Sequence, residues 1–426
     1  MATVLITGAT GFIGSHLVEA LVDAGHEVKC AVRECPAQGK CSRLACVPVD
    51  YTRDFEPDVW QRRLAGIDVT INAVGILREH GAQTFEALHD RAPRALFAAS
   101  AAAGVKVVQI SALGADERAS SRYHLSKKAA DDALLASSKK AVVVQPSLVY
   151  GPGGTSARVF NMMASLPLIP LPGAGDQAIQ PIHIDDLIRA VVRLVETERY
   201  LGQRVPLVGP EPVTLQRYLD ELRHSMGLGP GKFMHIPAAL VDITAQIGQW
   251  SGKGMLDLDT WRMLQRGNTA DPGATRDLLG RDPRPVSEFT SRWSARESRM
   301  SALMEWLELV LRVSLAAVWL LAGVVSMGVY PVEDSYAMLA RVGITGSSLA
   351  PIALYGAAAL DFAFGLGTLF LRRRKFLWIA QATLIGLYTI TITFYLPEFW
   401  LHPFGPLIKN LPILAAILVL YELEKR

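Results

Sequence analysis

The sequence is poor in cysteine, and what it has is crowded: Cys30, Cys35, Cys41 and Cys46 are the only four in 426 residues. Their spacing contains no Cys-x-x-Cys pair of pairs, so a zinc site is weakly indicated. Reduced, structural thiols are the expectation, with Cys30 and Cys46 facing a sheet. Net charge is equally scarce. The chain has 43 Lys+Arg against 40 Asp+Glu, a balance of +3, and no basic stripe interleaved with aromatics, so nucleic acid is excluded as an expected partner. The opening MATVLITGATG lacks a charged n-region and a cleavage site, which excludes a signal peptide. It reads directly as a strand and a turn, in a part expected to stay in the cytoplasm. Charge also thins along the chain: residues 1–300 hold 34 Lys+Arg and 32 Asp+Glu, residues 301–426 only 9 and 8. Half of all residues are hydrophobic, which is high for a purely soluble protein.

What is present first is an alternation of strands and helices. TVLITG, EVKCAVR, LACVPVD, IDVTINAVG, VKVVQIS and AVVVQPS read as six strands ending near residue 147. Helices are expected at 12–24, near 84–103 and around Tyr123. Continuous apolar strands with short connections imply a parallel sheet covered on both faces. The fold class is therefore α/β, a doubly wound Rossmann sheet over 1–150. Residues 151–300 are richer in Pro and Gly. They read as a small cap segment completing the same domain, with one clear helix at 184–196 and an amphipathic exit bearing Arg292, Arg296 and Arg299.

The last third, 301–426, contains four apolar runs, 313–330, 348–371, 376–396 and 403–421. Each is near the ~20 residues that span hydrocarbon, and an all-α four-helix transmembrane domain is the expectation. The bilayer is thus the first partner, with a further membrane protein as a second. The basic clusters RRRK (372–375) and KR (425–426), and the arginines near 292–299, fall on one side of four spans. By the bias of basic residues to the inside, the protein is expected in the cytoplasmic (inner) membrane, with both termini and the N-terminal domain in the cytoplasm. Asp361, in the middle of the second run, is a functional candidate because intramembrane carboxylates are costly. Lys409, in the fourth run, is expected to neutralise it. Gly356, Gly365 and Gly367 would let helices approach closely.

The chemistry-bearing residues sit in the first half. GATGFIG (8–14) places Gly8, Gly11 and Gly14 between a strand and a helix. There they permit a tight turn and close approach of a pyrophosphate to the helix N-terminus, with Thr10, Phe12 and Ile13 in the same turn. At the end of the second strand, where an acid would serve a ribose diol, stands Arg33, which suits a 2′-phosphate. NADP(H) is therefore preferred over NAD(H), although Glu34 would serve a ribose. Asp50 would contact the adenine amine or stand as a solvated loop acid. Tyr123 and Lys127 lie one helical turn apart, and a cation beside a phenol makes it a better proton donor.

Together with Ser111, twelve residues before the tyrosine, these motifs resemble the short-chain dehydrogenase/reductase superfamily in its extended or atypical branch. NAVG (72–75), QPSLVYGPGG and PIHIDDLIRAV extend the resemblance to about residue 290. Within that branch the chain is most similar to the group containing the nucleotide-binding accessory subunit of respiratory complex I. The segment ending HPFGPLIKNLPILAAILVLYELE resembles DoxX-like four-helix membrane domains. The resemblance implies that Tyr123 is the general acid/base, that Lys127 binds the ribose and lowers the tyrosine pKa, and that Ser111 orients a substrate carbonyl. Asn72, Ala73, Val74 and Gly75 would flank the cofactor, and Pro146 and Val149 would sit near the nicotinamide. Two positions depart from the pattern: His89 where an Asn is usual, and Gln145 where an Arg is usual. His124 is expected at the surface. The function expected is a membrane-anchored oxidoreductase acting on a lipophilic carbonyl or quinone-like substrate. Its rival is a non-catalytic nucleotide-binding assembly or sensor subunit.

Overall fold

The computed structural model describes residues 1–35, 44–251, 258–290, 294–403 and 405–424; Cys41, Arg292, Lys425 and Arg426 lie outside the described residues. The chain divides into two units, Met1–Ala302 and Leu303–Arg426.

In the first unit, β1 (Thr3–Thr7), β2 (Glu27–Val32), β3 (Ala45–Pro48), β4 (Val69–Asn72), β5 (Lys106–Ile110) and β6 (Ala141–Pro146) form a parallel sheet with Gln203–Leu207. The order across it is Gln203–Leu207, β6, β5, β4, β1, β2, β3. Successive residues of each strand face opposite layers. Val4 and Ile6 pack with the helices Phe12–Asp23 and Ile184–Glu196, while Leu5 packs with Trp60, Leu96 and Leu134 on the other side. Chain order reverses between β1 and β4, and the crevice beyond their C-terminal ends is where such sheets bind ligands.

The strand Gln203–Leu207 was not among the six expected. Among the described residues it pairs only with β6, at the sheet edge, where Pro206 is tolerated because no further neighbour needs its missing N–H. A second correction concerns the thiols. Cys35 and Cys46 form a disulfide with Cα atoms 5.9 Å apart. The chain bends at Arg33 and Glu34 after β2, and β3 runs beside β2, so Cys35 lies next to Cys46. Cys30 is buried in the sheet, as expected.

Beyond β6 the same unit has a further core, in which Tyr150, Leu171, Tyr218, Leu222 and Phe289 pack together. The second unit is helical. Ala295–Val324 with its π-helical continuation Val325–Val329, then Leu349–Phe370 and Lys375–Tyr395, are long and apolar enough to cross a membrane. Their outward side chains include exposed Leu321, Val329, Ile352, Phe370, Phe376 and Phe394, an apolar surface suited to hydrocarbon. The fourth apolar run departs from the expected span. It is helical only over Asn410–Leu423, 14 residues, or about 21 Å at 1.5 Å per residue. Pro403, Gly405 and Pro406 keep the preceding stretch out of the helix. Lys409 is therefore the residue before that helix, exposed, and not embedded in a span.

Candidate functional site

The glycine turn leaves β1 and enters the helix Phe12–Asp23. Gly8 has φ +72°, and a side chain there would stand 2.8 Å from the Ala73 backbone. Gly11 N donates to Gly8 O at 2.9 Å. A Cβ on Gly14 would lie 2.1 Å from Gly8 O, so only glycine lets the helix approach the strand this closely. The helix begins without a side-chain cap, leaving first-turn N–H groups unsatisfied within it. Thr10 and Gly11 are exposed, and Phe12 and Ile13 half-buried. The Phe12 ring lies against Gly154. This cradle fits the pyrophosphate of a dinucleotide.

At the far side of the crevice Arg33 is exposed. The Asp50 carboxylate accepts from Thr52 N at 2.9 Å and Thr52 Oγ1 at 2.7 Å. The Thr52 hydroxyl, with help from Arg53 and Arg33, holds its pKa below the usual carboxylate value. Asn72 does not present its side chain to the crevice. Its Oδ1 accepts from Thr7 Oγ1 at 2.7 Å and Tyr51 OH at 2.9 Å, and its Nδ2 donates to Gln109 Oε1 at 2.7 Å. It pins β1, β4 and β5 together, so that only the backbone of the loop Ala73–Gly75 is left to flank a ligand.

The helix Arg122–Ser137 carries Tyr123 and Lys127 on one face. Lys127 is 3% exposed; its Nζ donates to Val74 O at 3.1 Å and Ile110 O at 3.2 Å. It lies directly below Gly75, where an added Cβ would stand 3.1 Å from Nζ. Burial drives its pKa down to about 8, against the attraction of Asp131. Tyr123 is half-buried beside the rings of His89 and His124, at centroid distances of 5.6 and 5.4 Å. Its pKa is not lowered, contrary to expectation. Burial, and then the negative charge of Asp131, push it up to about 12.

Ser111 also departs from its expected place. It is buried, and its Oγ donates to Asp131 Oδ2 at 2.5 Å instead of facing the crevice. Asp131 itself is fully buried, its Oδ1 has no hydrogen-bond partner, and burial raises its pKa to about 7. Sequence reading passed over this residue. The signal was there: Tyr123, Lys127 and Asp131 recur every four positions and so share one stripe of the helix.

His89 is 1% exposed. Ile76 N donates to its Nε2 at 3.0 Å, and its Nδ1 meets Ser126 Oγ at 2.9 Å. Ser126 Oγ in turn donates to Tyr123 O, so the ring nitrogen facing it is the protonated one. Burial holds the ring neutral, with a pKa of about 2. His89 thus joins the loop after β4 to the helix that carries Tyr123. Gln145 is buried and donates to Ala115 O at 3.1 Å. Pro146 is buried at the end of β6, and Val149 half-buried in the next short strand. His124 is not a surface residue. It is 4% exposed, and burial lowers its pKa to about 4.

In the second unit Asp361 is buried at 8% exposure, with no hydrogen-bond partner at Oδ1. Among the described residues it forms no ion pair with Lys409, which stands outside the last helix. The expected pair is thereby corrected.

A model of the NAD dependent epimerase/dehydratase family matches residues 4–206, and one of the DoxX-like family matches residues 316–418. A ceramide reductase of Caulobacter vibrioides is 30% identical over 251 residues, which is 58% of this chain and 78% of the relative. The alpha subcomplex subunit 9 of mitochondrial NADH dehydrogenase from Arabidopsis thaliana is 28% identical over 235 residues, covering 52% of this chain and 57% of that protein. A nucleoside-diphosphate-sugar epimerase of Staphylococcus aureus superimposes with a TM-score of 0.55 at 16% identity, over 67% of this chain and 99% of that one. A Bacillus anthracis dTDP-glucose 4,6-dehydratase in complex with NAD gives 0.52 at 15% identity, over 72% and 98%. These two likenesses are of fold.

Proposed function

Because the chain belongs to the NAD-dependent epimerase/dehydratase family, we propose that it is a membrane-anchored oxidoreductase that uses NADPH to reduce a carbonyl on a lipophilic substrate. One observation carries the reading above all. The Gly8–Gly14 cradle and the buried Lys127 converge on the loop Ala73–Gly75, at the point where chain order reverses across the sheet. A nicotinamide, when bound, supplies hydride chemistry. The chain's own residues do the rest. Gly8, Gly11, Gly14 and the helix N-terminus would hold the pyrophosphate, Arg33 the 2′-phosphate, and Asp50 the adenine. Lys127 would hold the ribose, with Pro146 and Val149 beside the nicotinamide. Tyr123 keeps its proton at neutral pH and would give it to a carbonyl oxygen.

The lipophilic substrate is supported by the apolar helices of the second unit and by the name of the Caulobacter relative, which acts on a ceramide. The membrane is proposed to be the cytoplasmic (inner) one. The nucleotide unit and both termini would lie on its cytoplasmic side.

A second reading has its own observation. Ser111 is bound to Asp131 and does not face the crevice, which favours a subunit that holds a nucleotide without turnover, and the NADH dehydrogenase subunits are relatives. The two readings separate in one experiment. Purified chain in detergent is given NADPH and a long-chain N-acyl amino ketone, and nicotinamide absorbance is followed. Turnover that falls 10²–10⁴-fold in Tyr123→Phe, the usual scale of general acid catalysis, with nucleotide affinity unchanged, supports the reductase. Binding without turnover in the wild type supports the subunit.

A further inference from the structure

Arg33 carries the preference for NADPH in the function proposed above, and little in the fold holds it in place. The β2–β3 ladder ends at the pair Val32 and Pro48, with Val49 N donating to Val32 O at 2.9 Å. Arg33, Glu34 and Cys35 follow, all three exposed. Among the described residues no hydrogen bond reaches any of them. What ties the segment down is covalent. Cys35 comes three residues after Val32, yet it is bonded to Cys46, which stands two residues before Pro48 on the neighbouring strand. The chain therefore turns back along β3 as soon as it leaves the ladder, and Arg33 and Glu34 are the residues at the turn. The Asp50 carboxylate, held mainly by Thr52, also feels the charge of Arg33, so the turn lies on the Asp50 side of the crevice.

A disulfide in this position can be opened. Cys35 is exposed and Cys46 half-buried, so a thiolate in solution reaches the Cys35 sulfur. In a reducing compartment, where this unit is proposed to lie, the disulfides that form are mostly transient and redox-sensing. Opening the bridge leaves Arg33 with no anchor nearer than Val32. Holding a phosphate then requires that the segment be ordered first, and that cost is taken from the affinity.

We propose that the Cys35–Cys46 bridge positions Arg33 and makes the choice between NADPH and NADH depend on redox state. The proposal rests on the reading that this unit binds a dinucleotide with Arg33 at the 2′-phosphate. The step is thiol–disulfide exchange with a dithiol reductant. One thiolate of the reductant attacks Cys35 Sγ, the bond to Cys46 breaks, and Cys46 leaves as a thiolate that takes up a proton. The second thiol of the reductant then displaces Cys35, which leaves in the same way. Two electrons and two protons pass to the chain, and the reductant departs as a disulfide. Cys35 and Cys46 act through Arg33, as positioning residues.

The full chain in detergent is prepared in two states, one treated with glutathione disulfide and one with dithiothreitol, and the reagents are removed. Thiol alkylation with mass spectrometry reports the bridge, and NADPH and NADH are titrated onto each state by calorimetry. The reduced chain should bind NADPH roughly fivefold more weakly or worse, with NADH affinity equal in the two states to within about twofold. Cys35→Ser and Cys46→Ser should bind NADPH as the reduced wild type does, whichever treatment they receive. Arg33→Ala should bind NADPH weakly and equally in both states, which a general loosening of the unit would not produce. Equal NADPH affinity in the two wild-type states overturns the proposal. So does a redox effect of full size in Arg33→Ala, or the absence of a Cys35–Cys46 linked peptide after oxidation. Where Cys46→Ser does not fold, Cys35→Ser, at an exposed position, carries the same comparison. Binding of neither nucleotide in either state defeats the dinucleotide reading and the proposal with it, whereas binding that ignores redox state defeats the proposal alone.

Discussion

Arg33 is exposed and directly follows β2. If it holds a 2′-phosphate, Arg33→Ala costs about 1.5–3 kcal/mol of NADPH affinity, the scale of hydrogen bonds to charged groups, and almost nothing for NADH. Titration calorimetry with both nucleotides checks this; equal wild-type affinities would remove Arg33 from the cofactor site. Asp131 leads to a different kind of test. Its pKa stands at about 7 in the folded chain against 3.8 for the ordinary group. Between those values the folded state holds a proton that the unfolded state has released. The stability this contributes is complete below about pH 4 and is lost as pH rises to 7. Asp131→Asn should flatten that slope, worth on the order of 2–4 kcal/mol, in unfolding measured at several pH values. A slope unchanged in the variant would mean that Asp131 ionises normally. This residue was hard to see in the sequence because an acid within YHLSKKAADDALL reads as part of a solvated face. Its burial depends on which side of the helix meets β5, and on Ser111 reaching it.

Among the elements, the turn between β1 and the first helix was the most legible, because its chemistry is local. Three glycines at fixed intervals behind an apolar strand have few other uses. Gly14→Ala should accordingly both lower the melting temperature and weaken nucleotide binding. Its methyl would fall 2.1 Å from Gly8 O, and overpacking of this kind typically costs about 1–3 kcal/mol. Wild-type melting and affinity in that variant would show that the helix can retreat without consequence. The strands β1 to β6 were legible for a similar reason, since buried parallel strands are continuous apolar runs. Gln203–Leu207 was not: it is short, contains Pro206, and owes its existence to a partner 61 residues earlier in register, Val142 for Gln203. The Cys35–Cys46 bridge depends on a bend that no spacing rule encodes. The fourth apolar run was legible as apolar but not as a full span, because Pro403, Gly405 and Pro406 interrupt it before Asn410.

For the whole molecule, the placement of basic residues makes a prediction about sidedness. If the first unit lies in the cytoplasm, the loop at Arg372–Arg374 does too, and Ser347 faces the other side. In intact cells a membrane-impermeant maleimide should label Ser347→Cys and should reach Arg373→Cys only after lysis; the reverse pattern would invert the orientation. The edge strand Gln203–Leu207 has a consequence in time. The sheet is complete once Leu207 has been made, well before the helical unit begins at Leu303. At the usual 5–20 residues per second, synthesis of the stretch between them takes roughly 5–20 s, whereas mixed α/β domains fold in milliseconds to seconds. If the first unit lies in the cytoplasm, its sheet closes before the apolar helices emerge, and a folded unit at the N-terminal end would act as a stop against wholesale export.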